Sequence, residues 1–210
     1  MKTLPGLPFS SPRYSFGNKV ALAPVMRRKG VGVPGRSRFE TLVLPHLDAG
    51  YNLARWLTRD AQDAEDVVQD ACIRALKYLG TLRDESARAW FLTIVRRAFY
   101  DWLGRNRPAA VTAAGSAEAE AVADTAPDPE TAALRRADLR ALDEALAELP
   151  LPFREVLVLR ELEDLSYKEI ARVADIPIGT VMSRLARARS LLQRSPLLQE
   201  VRSNPVRGTR

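Results

Sequence analysis

The chain is poor in several residue types, and each shortage removes a class of function. Of its 210 residues one is cysteine, Cys72, and one is histidine, His46. A single cysteine cannot close an internal disulfide, which suits a reducing cytoplasm and leaves packing to hold the fold. Cys72 lies in "VVQDACIRAL", an apolar helical pattern, and reads as a small core residue rather than a redox group. No stretch approaches the roughly 18 apolar residues of a membrane span. The basic N-terminus also lacks the continuous apolar run of a secretory signal. A soluble cytoplasmic protein with no membrane insertion is expected. Acid is missing from the first 38 residues, whose charges are Lys2, Arg13, Lys19, Arg27, Arg28, Lys29, Arg36 and Arg38.

The charge that is present comes in blocks. The formal total is +6, a modest preference for a polyanionic partner. From Glu118 to Glu130 every charge is acidic, and after Met182 all are arginine except Glu200. Such blocks point to separate segments with separate tasks. Residues 1–37, rich in Pro, Gly, Ser and basic residues, read as a mobile arm. Residues 38–107 are helical by pattern: Phe39, Leu42, Val43, Leu47, Tyr51, Ala54 and Leu57 share one face, interrupted or kinked at Pro45. A second helix starts with Asp63 as N-cap, and a third with Ser86. Residues 108–129 are acidic and short of large apolar side chains, as a flexible linker is. "DPET" restarts order with Asp128 as cap and Pro129 at the first helical position, and Leu139, Leu142, Leu146 and Leu149 line the next helix. Short helices then fill residues 130–195, ahead of a basic tail at 196–210. The fold class is therefore all-α, two small helical domains joined by a linker.

"LSYKEIARVADIPIGTVMSRLARAR" has the form of a helix-turn-helix. Ser166 caps the first helix with Glu169 at the capping-box position, and Ile170, Ala171 and Ala174 face inward. "DIP" makes the turn. The second helix packs through Val181, Leu185, Ala188 and Leu192, which leaves Thr180, Ser183, Arg184 and Arg187 on the other side. In this motif the second helix enters the major groove, where arginine grips guanine through two hydrogen bonds. Hydroxyls near a helix N-terminus suit phosphate oxygens. A solvated helix face would show some of this pattern, but the fold pattern and the charge agree on DNA.

Residues 86–107 repeat the logic with other chemistry. Trp90, Phe91 and Trp102 read as core, while Arg96, Arg97 and Tyr100 form an outward basic face that would suit unstacked bases. Asp101, one turn after Arg97, is placed to orient that arginine. In "DAQDAEDVVQD", Asp63, Asp66 and Asp70 share one helix face beside Glu65 and Gln69. No glycine-containing calcium loop accompanies them and His46 is distant, so a face complementary to a basic or polar protein surface is the better reading. No metal or cofactor is expected.

Together these residues resemble the sigma-70 family, specifically its extracytoplasmic-function group of bacterial sigma factors. The matching pieces are "DAEDVVQDACIRAL", "AWFLTIVRRAFYDWL" and "LPFREVLVLRELEDLSYKEIARVADIPIGTVMSRLARAR", in the family's order and with a variable linker between. The resemblance implies an initiation subunit that binds core RNA polymerase and promoter DNA. It implies that sigma region 2 spans 38–107 and sigma region 4 spans 130–195. Asp63, Glu65, Asp66, Gln69 and Asp70 become candidates for core-polymerase binding, and Arg96, Arg97 and Tyr100 for the −10 element. Thr180, Ser183, Arg184 and Arg187 become candidates for the −35 element. An anti-sigma partner is implied by the resemblance alone. The chain departs from the family at Arg97, where asparagine is usual, and at Gly104, where arginine is frequent. A linker of about 22 residues reaches at most roughly 70 Å, a span similar to two turns of duplex at about 34 Å each.

The leading expectation is a promoter-specificity subunit with no catalysis of its own. The alternatives are a sigma-like decoy that occupies an anti-sigma factor, and a conventional helix-turn-helix regulator that binds a palindrome as a dimer. An enzymatic alternative built on Asp66 and Asp70 lacks a matching nucleophile.

Overall fold

The computed structural model describes residues 35–82, 86–106 and 140–203, and every regular element among them is a helix. Residues 1–34 of the expected arm at 1–37, the linker at 108–129 with its Asp128–Pro129 cap, Leu139 and residues 204–210 of the expected tail lie outside the described residues, whereas 35–37 and 196–203 are helical.

Pro45 decides how the chain begins. It can supply no backbone N–H, so the expected kinked helix becomes α1 (Gly35–Leu42), a 3-10 turn (Leu44–His46) and α2 (Leu47–Thr58). Arg59 then adopts a left-handed conformation (φ 64°), which ends α2 and turns the chain into an extended Asp60. The Asp60 side chain accepts the Asp63 amide at 2.9 Å and caps α3 (Ala61–Tyr78). The cap is therefore Asp60 and not Asp63: the Asp63 amide is one of the first-turn donors that needs an acceptor. A 3-10 turn (Leu79–Thr81) follows. Ser86 caps α4 (Ala87–Arg105), as its position suggested, by accepting the Ala89 amide.

These helices enclose Phe39, Leu53, Phe91, Leu92 and Phe99 with almost no exposure. Where α2 meets α4, a Cβ on Gly50 would stand 2.6 Å from Cε1 of Phe91. The glycine is what makes room for the Phe91 ring. Cys72 is buried in the same core, and burial pushes its thiol up to about 12, so it stays protonated at neutral pH. Arg74 bridges α3 and α4, donating to Asp70 at 2.7 Å and Asp101 at 2.5 Å. The expected Asp101–Arg97 pairing is thus replaced by one with Arg74, across the helix interface.

The second module runs through a helix at 140–148 (α5), then α6 (Leu151–Glu161), α7 (Tyr167–Ala174), α8 (Ile178–Arg194) and α9 (Pro196–Ser203). Leu142, Leu146 and Leu149 are buried as the sequence pattern required. The Ser166–Glu169 capping box is complete, with the Glu169 carboxylate accepting the Ser166 amide at 2.8 Å. Asp175 takes the left-handed C-cap position of α7 (φ 53°), a conformation aspartate tolerates. Ile170, Val173 and Ala174 then meet Val181, Leu185, Ala188 and Leu192 in the core, with Ala171 partly buried. Arg189 of α8 donates to Glu161 of α6 at 2.6 Å, fixing α8 on the module.

The two modules are packed on each other, α7 against α4 and α6 against α2, and their buried apolar side chains form one connected cluster. This explains why α4 is apolar on so many sides: one set of residues fills its own module and another meets the second. The seam also contains charge. Glu155 of α6, 0% exposed, accepts from Nε of Arg96 and from the Tyr100 hydroxyl at 3.3 Å. Glu163, 2% exposed, accepts from Arg88 and, at 3.3 Å, from Nδ2 of Asn52. Arg154 donates to the carbonyl oxygen of Trp56 at 3.2 Å while holding Ala147 and Leu149 in its own module. Burial pushes the Glu155 carboxyl above the ordinary carboxylate range, against the pull of Arg96.

Two outcomes follow from this packing. Gly50→Ala should lower stability by a net of about 1–2 kcal/mol in urea unfolding, because the rigid Phe91 ring must shift to admit the methyl group. Arg96→Ala should cost up to about 3–5 kcal/mol, since it strands a buried carboxylate until the modules part and return it to water. The double variant Arg96→Ala/Glu155→Gln should recover much of that loss. Equal losses in the single and double variants would show that Glu155 is not desolvated by the seam.

Candidate nucleic-acid interface

The geometry of α8 follows from its core contacts. With Val181, Leu185, Ala188 and Leu192 buried, the opposite side of the helix carries Gly179, Ser183, Ala186 and Arg187, all exposed. Thr180 is half-buried at one edge. The Ser183 hydroxyl donates to the Thr180 carbonyl oxygen at 3.0 Å, an intrahelical resting position from which it can turn outward. Arg184 sits at the same edge as Thr180, half-buried and near enough to Glu155 for its charge to lower that carboxyl's proton affinity. Of the four residues picked from the sequence, Ser183 and Arg187 occupy the outer face, while Thr180 and Arg184 flank it.

The first helix of the motif adds two cations that the sequence reading passed over. Lys168 and Arg172 are exposed and one turn apart on α7, beside the start of α8. In this motif the first helix crosses the DNA backbone, and an i,i+4 basic pair there is placed for phosphates. The signal was legible in "SYKEIARVA", where the two cations are spaced to share a face.

On α4 the three chosen residues are not equivalent. Arg97 is exposed. Arg96 and Tyr100 are held by Glu155, the guanidinium lying 4.7 Å from the Tyr100 ring centre. Burial, then the nearby Glu155 charge, raises the Tyr100 hydroxyl above its ordinary range. In this arrangement the second module covers a part of the face that the first would offer to DNA.

The acidic face of α3 lies on the first module, with Asp66 exposed and Asp63, Glu65, Gln69 and Asp70 half-buried. Asp70 is engaged with Arg74, and burial followed by repulsion from Asp60 and Asp66 raises the Asp63 carboxyl. Ile73, 51% exposed, continues this face with an apolar spot that the sequence reading did not single out. An acidic face that ends in an exposed apolar side chain suits a protein partner better than nucleic acid. Among the described residues, no group of three or more His, Cys, Asp and Glu side chains is arranged to hold a metal ion, and no helix is long and apolar enough to cross a membrane.

Comparison with known proteins places both modules. Residues 42–108 match the family described as Sigma-70 region 2, and residues 139–192 match Sigma-70, region 4. The RNA polymerase sigma-H factor of Pseudomonas aeruginosa is 36% identical over 171 residues, covering 77% of this chain and 89% of that protein. The ECF RNA polymerase sigma-E factor of Haemophilus influenzae is 34% identical over 148 residues, 67% of this chain and 77% of that one. Among solved structures, the sigma factor RpoE in complex with the anti-sigma factor NepR from Bartonella quintana aligns with a TM-score of 0.60 at 30% identity, over 78% of this chain and 98% of that one. CnrH, in complex with the cytosolic domain of CnrY, aligns with a TM-score of 0.56 at 29% identity, over 79% and 91%. With both regions present in order and relatives matched over most of their length, the chain belongs to the extracytoplasmic-function group of the sigma-70 family.

Proposed function

We propose that this chain is a promoter-specificity subunit of RNA polymerase, acting in the cytoplasm without catalytic chemistry of its own. The observation that carries the reading is the outer face of α8, cationic and free of bulky side chains at its centre, on a helix-turn-helix whose first helix adds Lys168 and Arg172. α8 would read a −35 element, with Arg187 and Ser183 on the bases or phosphates and Arg184 at the edge. α4 would meet the −10 element through Arg97, Arg96 and Tyr100. The α3 face around Asp66 would dock on core polymerase, with Asp63, Glu65, Gln69 and Asp70 beside it. The modules taken as regions 2 and 4 span 38–107 and 130–195 in this reading.

The reading has a structural requirement. Arg96 and Tyr100 cannot serve DNA while Glu155 holds them, so promoter engagement asks the modules to part. Polymerase would supply the free energy by binding the separated arrangement more tightly. RpoE and CnrH, the structural neighbours, are each complexed with a partner, NepR and the cytosolic domain of CnrY. An anti-sigma partner that stabilises the closed arrangement of this chain is the corresponding proposal.

The test is run-off transcription with purified core polymerase on a pool of genomic fragments. Defined transcripts that require this chain support the reading. Capture of an anti-sigma protein without any transcript would favour the decoy, and tight dimeric binding to a palindrome without polymerase would favour a conventional regulator.

Two substitutions separate the surfaces. Asp66→Arg should weaken capture of core polymerase at least tenfold in a pull-down titration while leaving the thermal unfolding midpoint in place, because Asp66 is exposed. Arg187→Ala should cost the holoenzyme about 1–3 kcal/mol of discrimination at one −35 position, measured by competition between matched and mismatched duplexes. A uniform loss on every sequence would make Arg187 a phosphate contact.

A further inference from the structure

Ile178 and Met182 are 46% and 54% exposed, and they stand one turn apart at the start of α8. Neither belongs to the buried cluster, which α8 fills with Val181, Leu185, Ala188 and Leu192. Gly179, between them, is also unexplained by folding. A Cβ there would meet nothing within 4 Å, and alanine would favour the helix by about 1 kcal/mol. The fold thus leaves two long apolar side chains and one bare stretch of backbone on the first turns of the helix.

The surroundings restrict what could cover them. Lys168 and Arg172 of α7 stand on one side, with Asp175 beside them, and Arg187 lies further along the outer face, all exposed, so cations outnumber the acid and the setting favours an anionic occupant. It must also offer apolar atoms within a charged setting. In the DNA major groove that feature is the 5-methyl group of thymine, the one apolar projection among the base edges. Residues in the first turns of a recognition helix are the ones that reach base edges. The unbranched Met182 side chain can adjust to a methyl group whose position varies with local groove shape.

We propose that Ile178 and Met182 recognise thymine methyl groups in the −35 element, so that the chain reads that element by apolar contact as well as through its arginines. This rests on the sigma-subunit reading above and names a specificity determinant within it. The element should therefore contain thymine opposite the first two turns of α8. Substitution at either residue should relax the preference for thymine without weakening polymerase binding.

The experiment uses holoenzyme reconstituted with core polymerase. A −35 element is first selected from a randomised pool. Each thymine of the selected element is then replaced by deoxyuridine, which differs only by lacking the methyl group. For the unmodified chain, at least one replacement should weaken binding about fourfold, as expected for losing the burial of one methyl-sized group. Holoenzyme carrying Met182→Ala or Ile178→Ala should bind the thymine and deoxyuridine duplexes with the difference reduced or gone. Both residues are exposed, so the thermal midpoint of each variant should match that of the unmodified chain. Selection of an element without thymine, unchanged binding to every deoxyuridine duplex, or full discrimination retained by both variants would overturn the proposal. An equal loss on both duplexes would overturn it in favour of a protein contact at this patch. If no element is enriched at all, the sigma-subunit reading itself fails, a result seen before any deoxyuridine is used.

Discussion

A carboxylate buried between two helical modules governs the arrangement of everything else. Glu155 belongs to α6 of the second module, yet its bonding partners, Arg96 and Tyr100, belong to α4 of the first. A buried, unpaired carboxylate is costly, so the seam is favourable only when α6 and α4 meet in one register. Glu163 repeats the device with Arg88 of α4 and Asn52 of α2. Apolar packing alone would let the modules slide. Directional bonds to two buried acids fix the angle between them, and with it the faces of α4 and α8 that remain open.

That polar character also sets how firmly the seam can hold. An apolar interface of the same extent would resist opening by an amount that grows with buried area. A buried ion pair adds little net stability, because desolvation cancels most of the Coulomb attraction, but it penalises any misfit strongly. Such a seam can be specific without being tight. In the proposed open arrangement Arg96 and Tyr100 would be released, and Glu155 would return to water, which removes the burial that raises its proton affinity.

Local chemistry was legible in the sequence, and distant pairings were not. The Ser166–Glu169 capping box, the Ser86 cap and the buried stripe Val181, Leu185, Ala188, Leu192 all depend on residues within a turn or two of each other. Asp60 and Asp63 are three residues apart, and the cap-to-third-residue rhythm fits either one. Only the extended backbone at Asp60 distinguishes them. Asp101 was given its neighbour Arg97, whereas its partner Arg74 is 27 positions away and reaches it across a helix interface. Glu155 looks like a surface charge in "LPFREVLVLR". Nothing within several residues reveals that it will lose its water to a helix whose arginine lies 59 positions earlier. For the candidate sites, the stripe of α8 was found but its edges were not, since Thr180 and Arg184 differ from Ser183 and Arg187 only in what α8 packs against.

Covalent linkage reconciles a seam that can open with modules that must act together. Neither module is large, and each gains buried surface from the other in the closed arrangement. Once open, each loses that cover and needs another, which nucleic acid and a protein partner can provide. A tether keeps the second module at high effective concentration near the first, so the closed seam forms readily without being intrinsically strong. In the proposed function the same linkage would make engagement of one DNA element raise the local concentration of the module aimed at the other. The seam and the proposed DNA contacts would then compete for the same residues, Arg96 and Tyr100. A partner that binds only one arrangement can tip that competition with a few kcal/mol of differential affinity.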